Sequence, residues 1–105
     1  MFGDLMGNMK EQQKEMRRKL AEFRVEAEAG NGAVRVTANA NRELIDIQFD
    51  KEKLDWDDAE MVQDLIVAAV NKALEKAAEK EAEEAQNIMK NMLPPGLGDL
   101  GGLFG

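Results

Sequence analysis

Residues 24–50, RVEAEAGNGAVRVTANANRELIDIQFD, decide the fold. Apolar and polar positions alternate along them: Val25, Ala27 and Ala29, then Val34, Val36 and Ala38, then Ile45, Ile47 and Phe49. A period of two belongs to strands that turn one face to a core and the other to water. Gly30-Asn31-Gly32 offers consecutive positions that tolerate positive φ, which predicts a tight hairpin between the first two strands. Asn39-Ala40-Asn41-Arg42 predicts a second turn, with the asparagines taking the left-handed region. Three strands so joined make an antiparallel meander, and its apolar face needs a cover.

Both flanks can supply one. Upstream, Phe2, Leu5, Met6, Met9, Met16, Leu20 and Phe23 fall mostly three, four or seven apart, which predicts a first helix of about twenty residues. Downstream, Asp55, Asp57 and Asp58 around Trp56 place caps and negative charge where a helix begins. From about Asp57 to Met92 nothing interrupts the helical period of Met61, Val62, Leu65, Ile66, Ala69, Val70, Ala73, Leu74 and Ala77, and Pro94-Pro95-Gly96 ends it. Such a helix is about 54 Å long, whereas a compact domain of this size has a radius of gyration near 13 Å. Part of it must project or lie against a second chain. The apolar stripe also thins into EKEAEEAQ, residues 79–86, before returning at Ile88, Met89 and Met92. We expect a homodimer.

The expected architecture is therefore α+β: an N-terminal helix, a three-stranded antiparallel meander and a long C-terminal helix, dimeric with projecting helices. Residues 1–93 form one domain in this reading, and residues 94–105 a Pro/Gly-rich flexible tail. GLGDLGGLFG, residues 96–105, holds five glycines among Leu97, Leu100, Leu103 and Phe104. Its backbone entropy favours a frayed terminus, with a docking peptide for a protein partner as the alternative.

Composition narrows the function. The 105 residues carry a formal net charge of -7, with 44% hydrophobic and 33% charged residues. No apolar run approaches the roughly 18 residues of a membrane span, so no membrane association is expected. MFGDLMGNMK has no basic region followed by an apolar one, so no secretory signal is read and the cytoplasm is the expected location. Cys, His, Ser and Tyr are absent and Thr37 is the one hydroxyl, which removes most nucleophiles and general bases. The 21 acidic residues show no metal-loop spacing. The chain is read as a non-enzyme that needs no metal and no cofactor.

Charge is unevenly distributed. Residues 1–24 hold six Lys or Arg against four Asp or Glu, net +2, and the remaining 81 residues hold eight against seventeen, net -9. With Met9 set at zero on a helical wheel, Leu5, Met16, Leu20 and Phe23 lie within roughly 40° of it. Lys10, Lys14, Arg17, Arg18 and Arg24 then fall between about 60° and 180°, and Asp4, Glu11, Glu15 and Glu22 between about 200° and 240°. Like charges at (i, i+4), such as Lys10 with Lys14 and Lys14 with Arg18, repel slightly, so this sorting is a cost that wants a reason. One reason is that Lys and Arg stems shield an apolar seam. The other is contact with a polyanion: a dimer carries two such stripes, which can straddle a duplex with one phosphate charge per about 1.7 Å of axis. No aromatic residue beyond Phe23 is interleaved, so base stacking on single strands is not indicated. In NKALEKAAEKEAEEAQ, Lys72, Lys76 and Lys80 alternate with Glu75, Glu79, Glu83 and Glu84, which reads as a solvated face with helix ion pairs.

MFG at the start, the Met- and Gln-rich basic helix, GNGAVRVTANANRELIDIQFD, DLIVAAVNKALEKAAE and LPPG resemble, in order and spacing, the YbaB/EbfC family of bacterial nucleoid-associated proteins. The resemblance covers essentially the whole chain. It departs from the family at Ala40-Asn41, where the turn often contains glycine, and at Lys51, where a proline commonly follows the third strand. It implies a homodimer that binds double-stranded DNA with little or modest sequence preference, alters its conformation and resides in the nucleoid. Carried over by position, the DNA contacts fall on Lys10, Lys14, Arg17 and Arg18, with Lys19 and Arg24 beside them. The alternative is an acidic dimeric scaffold that engages another protein through its long helix and Leu-rich tail. A mimic of DNA would suit the net charge but not the clustered cations.

Overall fold

The computed structural model describes the backbone of residues 2–92 and the side chains of residues 6–91. In chain order it has α1 (Phe2–Leu20), β1 (Arg24–Ala29), β2 (Val34–Asn39), β3 (Leu44–Phe49) and α2 (Ala59–Met92). The strands form one antiparallel sheet in the order β1-β2-β3. The α+β architecture expected from the sequence is present. The tail of residues 94–105 lies outside the described residues, as do the side chains of Phe2, Asp4 and Leu5.

The first hairpin turns through Gly30, Asn31 and Gly32, with φ of 66°, 56° and 88°. In the second turn the left-handed position falls on Arg42, with φ of 61°, and not on an asparagine. The buried Asn39 side chain instead organises that turn: its Oδ1 accepts from the backbone of Asn41 at 2.9 Å and of Glu43 at 3.2 Å. An asparagine satisfying nearby N–H groups mimics a backbone turn and moves the strain one step on.

The boundaries differ slightly from those expected. α1 stops at Leu20, and Ala21 and Glu22 form a turn. The Phe23 carbonyl already accepts from Ala40 N at 3.0 Å, so the chain has entered the sheet ladder there and cannot stay helical. α2 begins at Ala59, because Asp58 is its N-cap: Oδ1 accepts from Met61 N at 3.1 Å.

The core lies between α2 and the first two strands. Val34 and Val36 are fully buried, as are Ala69, Ala73 and Ala77 on the facing side of the helix. A stripe of alanines lets the helix axis approach the sheet closely, so the β-branched residues opposite them set the layer spacing. Lys76 and Lys72 snorkel past this core and donate to the carbonyls of Glu26 at 2.8 Å and Glu28 at 3.4 Å, covering the β1 edge. β3 differs, since all six of its residues are exposed. Register with β2 sets Leu44, Ile47 and Phe49 opposite Ala38, Val36 and Val34, on the face that α2 covers elsewhere, with a bulge between Thr37 and Ala38 that leaves Ile45 unmatched.

A second cluster of Leu20, Ala40 and Ile88, with Met16 and Phe23 against it, fastens the end of α1 to the distal part of α2. Both helices reach beyond the sheet. The radius of gyration is 19.2 Å and the extents are 61 × 34 × 17 Å, well above the roughly 13 Å radius of a compact chain of this length.

Candidate nucleic-acid interface

α1 is amphipathic in its last half only in the sense that Met16 and Leu20 find partners; Met6 and Met9, further out on the same stripe, are 60% and 55% exposed. The helix is thus an arm held at one end. Three contacts at its base set its direction. The Asn41 amide donates to the Arg17 carbonyl at 2.6 Å, the Leu20 cluster packs below, and the Lys80 ammonium sits 5.3 Å from the centre of the Phe23 ring. Lys80 is itself fixed by Glu84 at 3.2 Å, one turn further along α2, the (i, i+4) pairing expected from the sequence.

Four of the six candidate residues stand on this arm as the helical wheel placed them. Lys10, Lys14, Arg17 and Arg18 are all exposed. Arg17, Arg18 and Lys19 occupy the last turn, where the negative end of the helix dipole favours cations. Lys19 is half-buried and lies off the stripe, at about 280° on the wheel. Arg24 is not helical, contrary to its expected place on the wheel: it opens β1, after the turn that ends α1 at Leu20. The wheel position of Arg24 is corrected accordingly, as is that of Phe23, which packs in the base cluster from outside the helix.

Among the described residues, Arg18 is the one member of the six in an ion pair, with Glu15 on its own helix. The hydrogen bond from Arg18 holds the Glu15 carboxyl below its ordinary value, and the same bond raises Arg18. A depressed carboxyl keeps the pair intact above the ordinary carboxylate range and releases it only as pH falls through the lowered value, so neither group changes charge near neutrality. Lys72 and Lys76, by contrast, point into the β1 edge and are occupied there.

The structure adds one cation that the sequence reading left aside. Arg42 lines a shallow cleft with Arg17, Met16, Leu20, Asn41 and Glu81, and its guanidinium lies 3.3 Å from the Glu81 carboxylate. Its turn position, between asparagines and a strand, gave no periodic signal that would have placed it beside α1.

Fold and surface together define a small α+β protein with a basic, end-anchored helical arm. The chain belongs to the YbaB/EbfC DNA-binding family, whose model matches residues 1–92. Among its relatives, a nucleoid-associated protein of Moorella thermoacetica is 43% identical over 101 residues, covering 87% of this chain and 97% of the relative. The nucleoid-associated protein CT0805 of Chlorobaculum tepidum is 39% identical over 97 residues, covering 90% and 86%. An uncharacterized protein of Helicobacter pylori, HP0035, has a similar solved structure, with a TM-score of 0.64, 27% identity and coverage of 84% of this chain and 92% of that one.

Proposed function

We propose that the protein binds duplex DNA in the bacterial nucleoid as a homodimer, holding the phosphate backbone with two α1 arms and altering the path of the duplex. The observation that carries this reading is the stripe of Lys10, Lys14, Arg17 and Arg18 on a projecting helix, exposed and mostly without acidic partners among the described residues. The names borne by the relatives support it. Contacts to phosphate do not depend on base sequence, so the binding is general. An acidic body repels the duplex wherever the arms do not hold it, which confines contact to the arms. No catalytic role is assigned to any residue, and the location follows from DNA: cytoplasmic, on the nucleoid.

Neutralising six to ten phosphates per dimer should lower affinity by about 10³ to 10⁵ between 50 and 200 mM salt. Fluorescence anisotropy of a labelled 30-base-pair duplex across that range checks it, and an affinity indifferent to salt would sink the mechanism. A second test uses the Glu15–Arg18 pair. Glu15→Gln frees the Arg18 guanidinium and removes a negative charge from beside the stripe, so affinity at 50 mM salt should rise roughly two- to fivefold. Weaker binding by this variant would show that Glu15 positions Arg18 for contact.

A further inference from the structure

Arg42 holds a backbone conformation that the fold does not need it to hold. Its φ of 61° is one that glycine takes freely and a long side chain takes at a cost. The Asn39 carboxamide builds that turn from the main-chain N–H groups of Asn41 and Glu43, so the same bonds would form around a glycine. The contact made by the Arg42 side chain returns little. Its Nε lies 3.3 Å from the Glu81 carboxylate, but the two side chains are 59% and 34% exposed, and an ion pair so open to water adds little to stability. A strained residue that packing does not account for points to function.

The surroundings say which function. Arg42 lines the cleft at the base of α1 together with Gln13 and Arg17. These two lie one helical turn apart, at about 40° and 80° on the wheel, so Arg17 is the inner edge of the basic stripe and the cleft begins where the stripe ends. Asn41 ties the turn to the arm by donating to the Arg17 carbonyl at 2.6 Å. That bond also occupies a carbonyl at the negative end of the helix, which would otherwise repel an anion. The Glu43 carboxylate accepts from the Asn39 amide at 3.1 Å and is taken up there, and Glu75 borders the cleft on the other side of Arg42 without an ion pair among the described residues. Two guanidinium groups thus border one opening, and the acid that lines it, Glu81, already rests an anionic oxygen against Arg42.

We propose that this cleft is a phosphate seat, in which Arg42 from the β2–β3 turn and Arg17 from α1 hold one phosphate of duplex DNA, and Glu81 occupies Arg42 when the seat is empty. The inference rests on the DNA binding proposed above and extends it from the arm to the turn at its base. A carboxylate and a phosphodiester present the same kind of acceptor to a guanidinium, so one can replace the other. The displaced carboxylate is half-exposed and returns to water, so the exchange leaves no charge buried. No aromatic residue is among those lining the cleft, which favours backbone over base.

The test is Arg42→Gly in the full chain, which removes the side chain and suits the backbone. Anisotropy of the labelled 30-base-pair duplex between 50 and 200 mM salt reads affinity and salt slope together. With one seat in each protomer of the proposed dimer, the slope should fall by about 1.8 units and the affinity at 0.1 M salt by roughly 20- to 60-fold. Tm and sedimented mass should match the wild type. Arg35→Gln removes the same charge from an ion pair with Glu28 near the opposite end of β2 and should leave the slope unchanged.

The substitution is then repeated in a Glu81→Gln chain. Contact with phosphate requires the same loss of slope in that background; a role confined to neutralising Glu81 produces none there and overturns the proposal. An unchanged slope for Arg42→Gly alone overturns it too, as does a loss accompanied by a lower Tm or a lower mass, which makes Arg42 a structural residue. Failure of the underlying reading looks different. A wild-type affinity indifferent to salt removes the arms and the seat together, whereas a steep wild-type slope beside an equally steep Arg42→Gly slope refutes the seat alone.

Discussion

The double charge reversal Arg17→Glu, Arg18→Glu should cost about three orders of magnitude in affinity for duplex DNA at 0.1 M salt. Each phosphate contact contributes close to one unit of slope in log affinity against log salt, so losing the four contacts that Arg17 and Arg18 would make in the proposed dimer removes about 3.6 units. The loss should be the same for duplexes of different base composition, because contacts to phosphate, as proposed, carry no base information. Both side chains are exposed on the arm, so the fold should survive, as the circular dichroism of the variant will show. The Asn41 bond helps here, since it is made to the main chain of Arg17 and outlasts the side chain. A variant that binds as tightly as the wild type moves the site off α1, with Arg42 as the next cation to test.

The largest effect on stability is expected from Ala73→Leu. Ala73 is fully buried at the middle of the stripe where α2 rests on β1 and β2, between Ala69 and Ala77, which are equally buried. Three added carbons have no space there and must lift the helix or push Val34 and Val36 off their rotamers, at a cost of about 2–3 kcal/mol. For a chain of this length each kcal/mol corresponds to about 4–8 °C in Tm, so a fall of roughly 10–20 °C is expected by calorimetry. A Tm within a few degrees of the wild type would mean that α2 does not seat on the sheet through its alanines. Val67→Leu, on the outer flank of the same helix, serves as the control for adding bulk to α2.

The elements were legible because each carries its own local period. Strict alternation from Val25 to Phe49 marked the strands, the run Gly30-Asn31-Gly32 marked the hairpin, and Asp58 sat where a cap was wanted. What escaped were features set by partners distant in sequence. Ile47 and Val36 look alike in a pattern, since alternation tells which face a side chain takes and not whether anything covers it. Arg24 and Phe23 kept the helical count but belong to the turn and sheet, because the ladder bond from Ala40 outweighs one more turn of helix. The positive φ at Arg42 reflects the use of Asn39 as a hydrogen-bond hub, which residue preferences alone do not disclose. Of the candidate site, Lys10, Lys14, Arg17 and Arg18 could be placed on one flank from spacing; the neighbouring Arg42 required the tertiary contact.

The anchoring of α1 at one end makes it a lever. Nineteen residues of helix reach about 28 Å, so a tilt of 10° about the Leu20 cluster sweeps the tip by about 5 Å, more than the roughly 3.4 Å of axial rise per phosphate of one DNA strand. A few side chains at the fulcrum, Asn41 and Leu20 foremost, therefore set where the far end of the arm lies, and small repacking there is magnified at its tip.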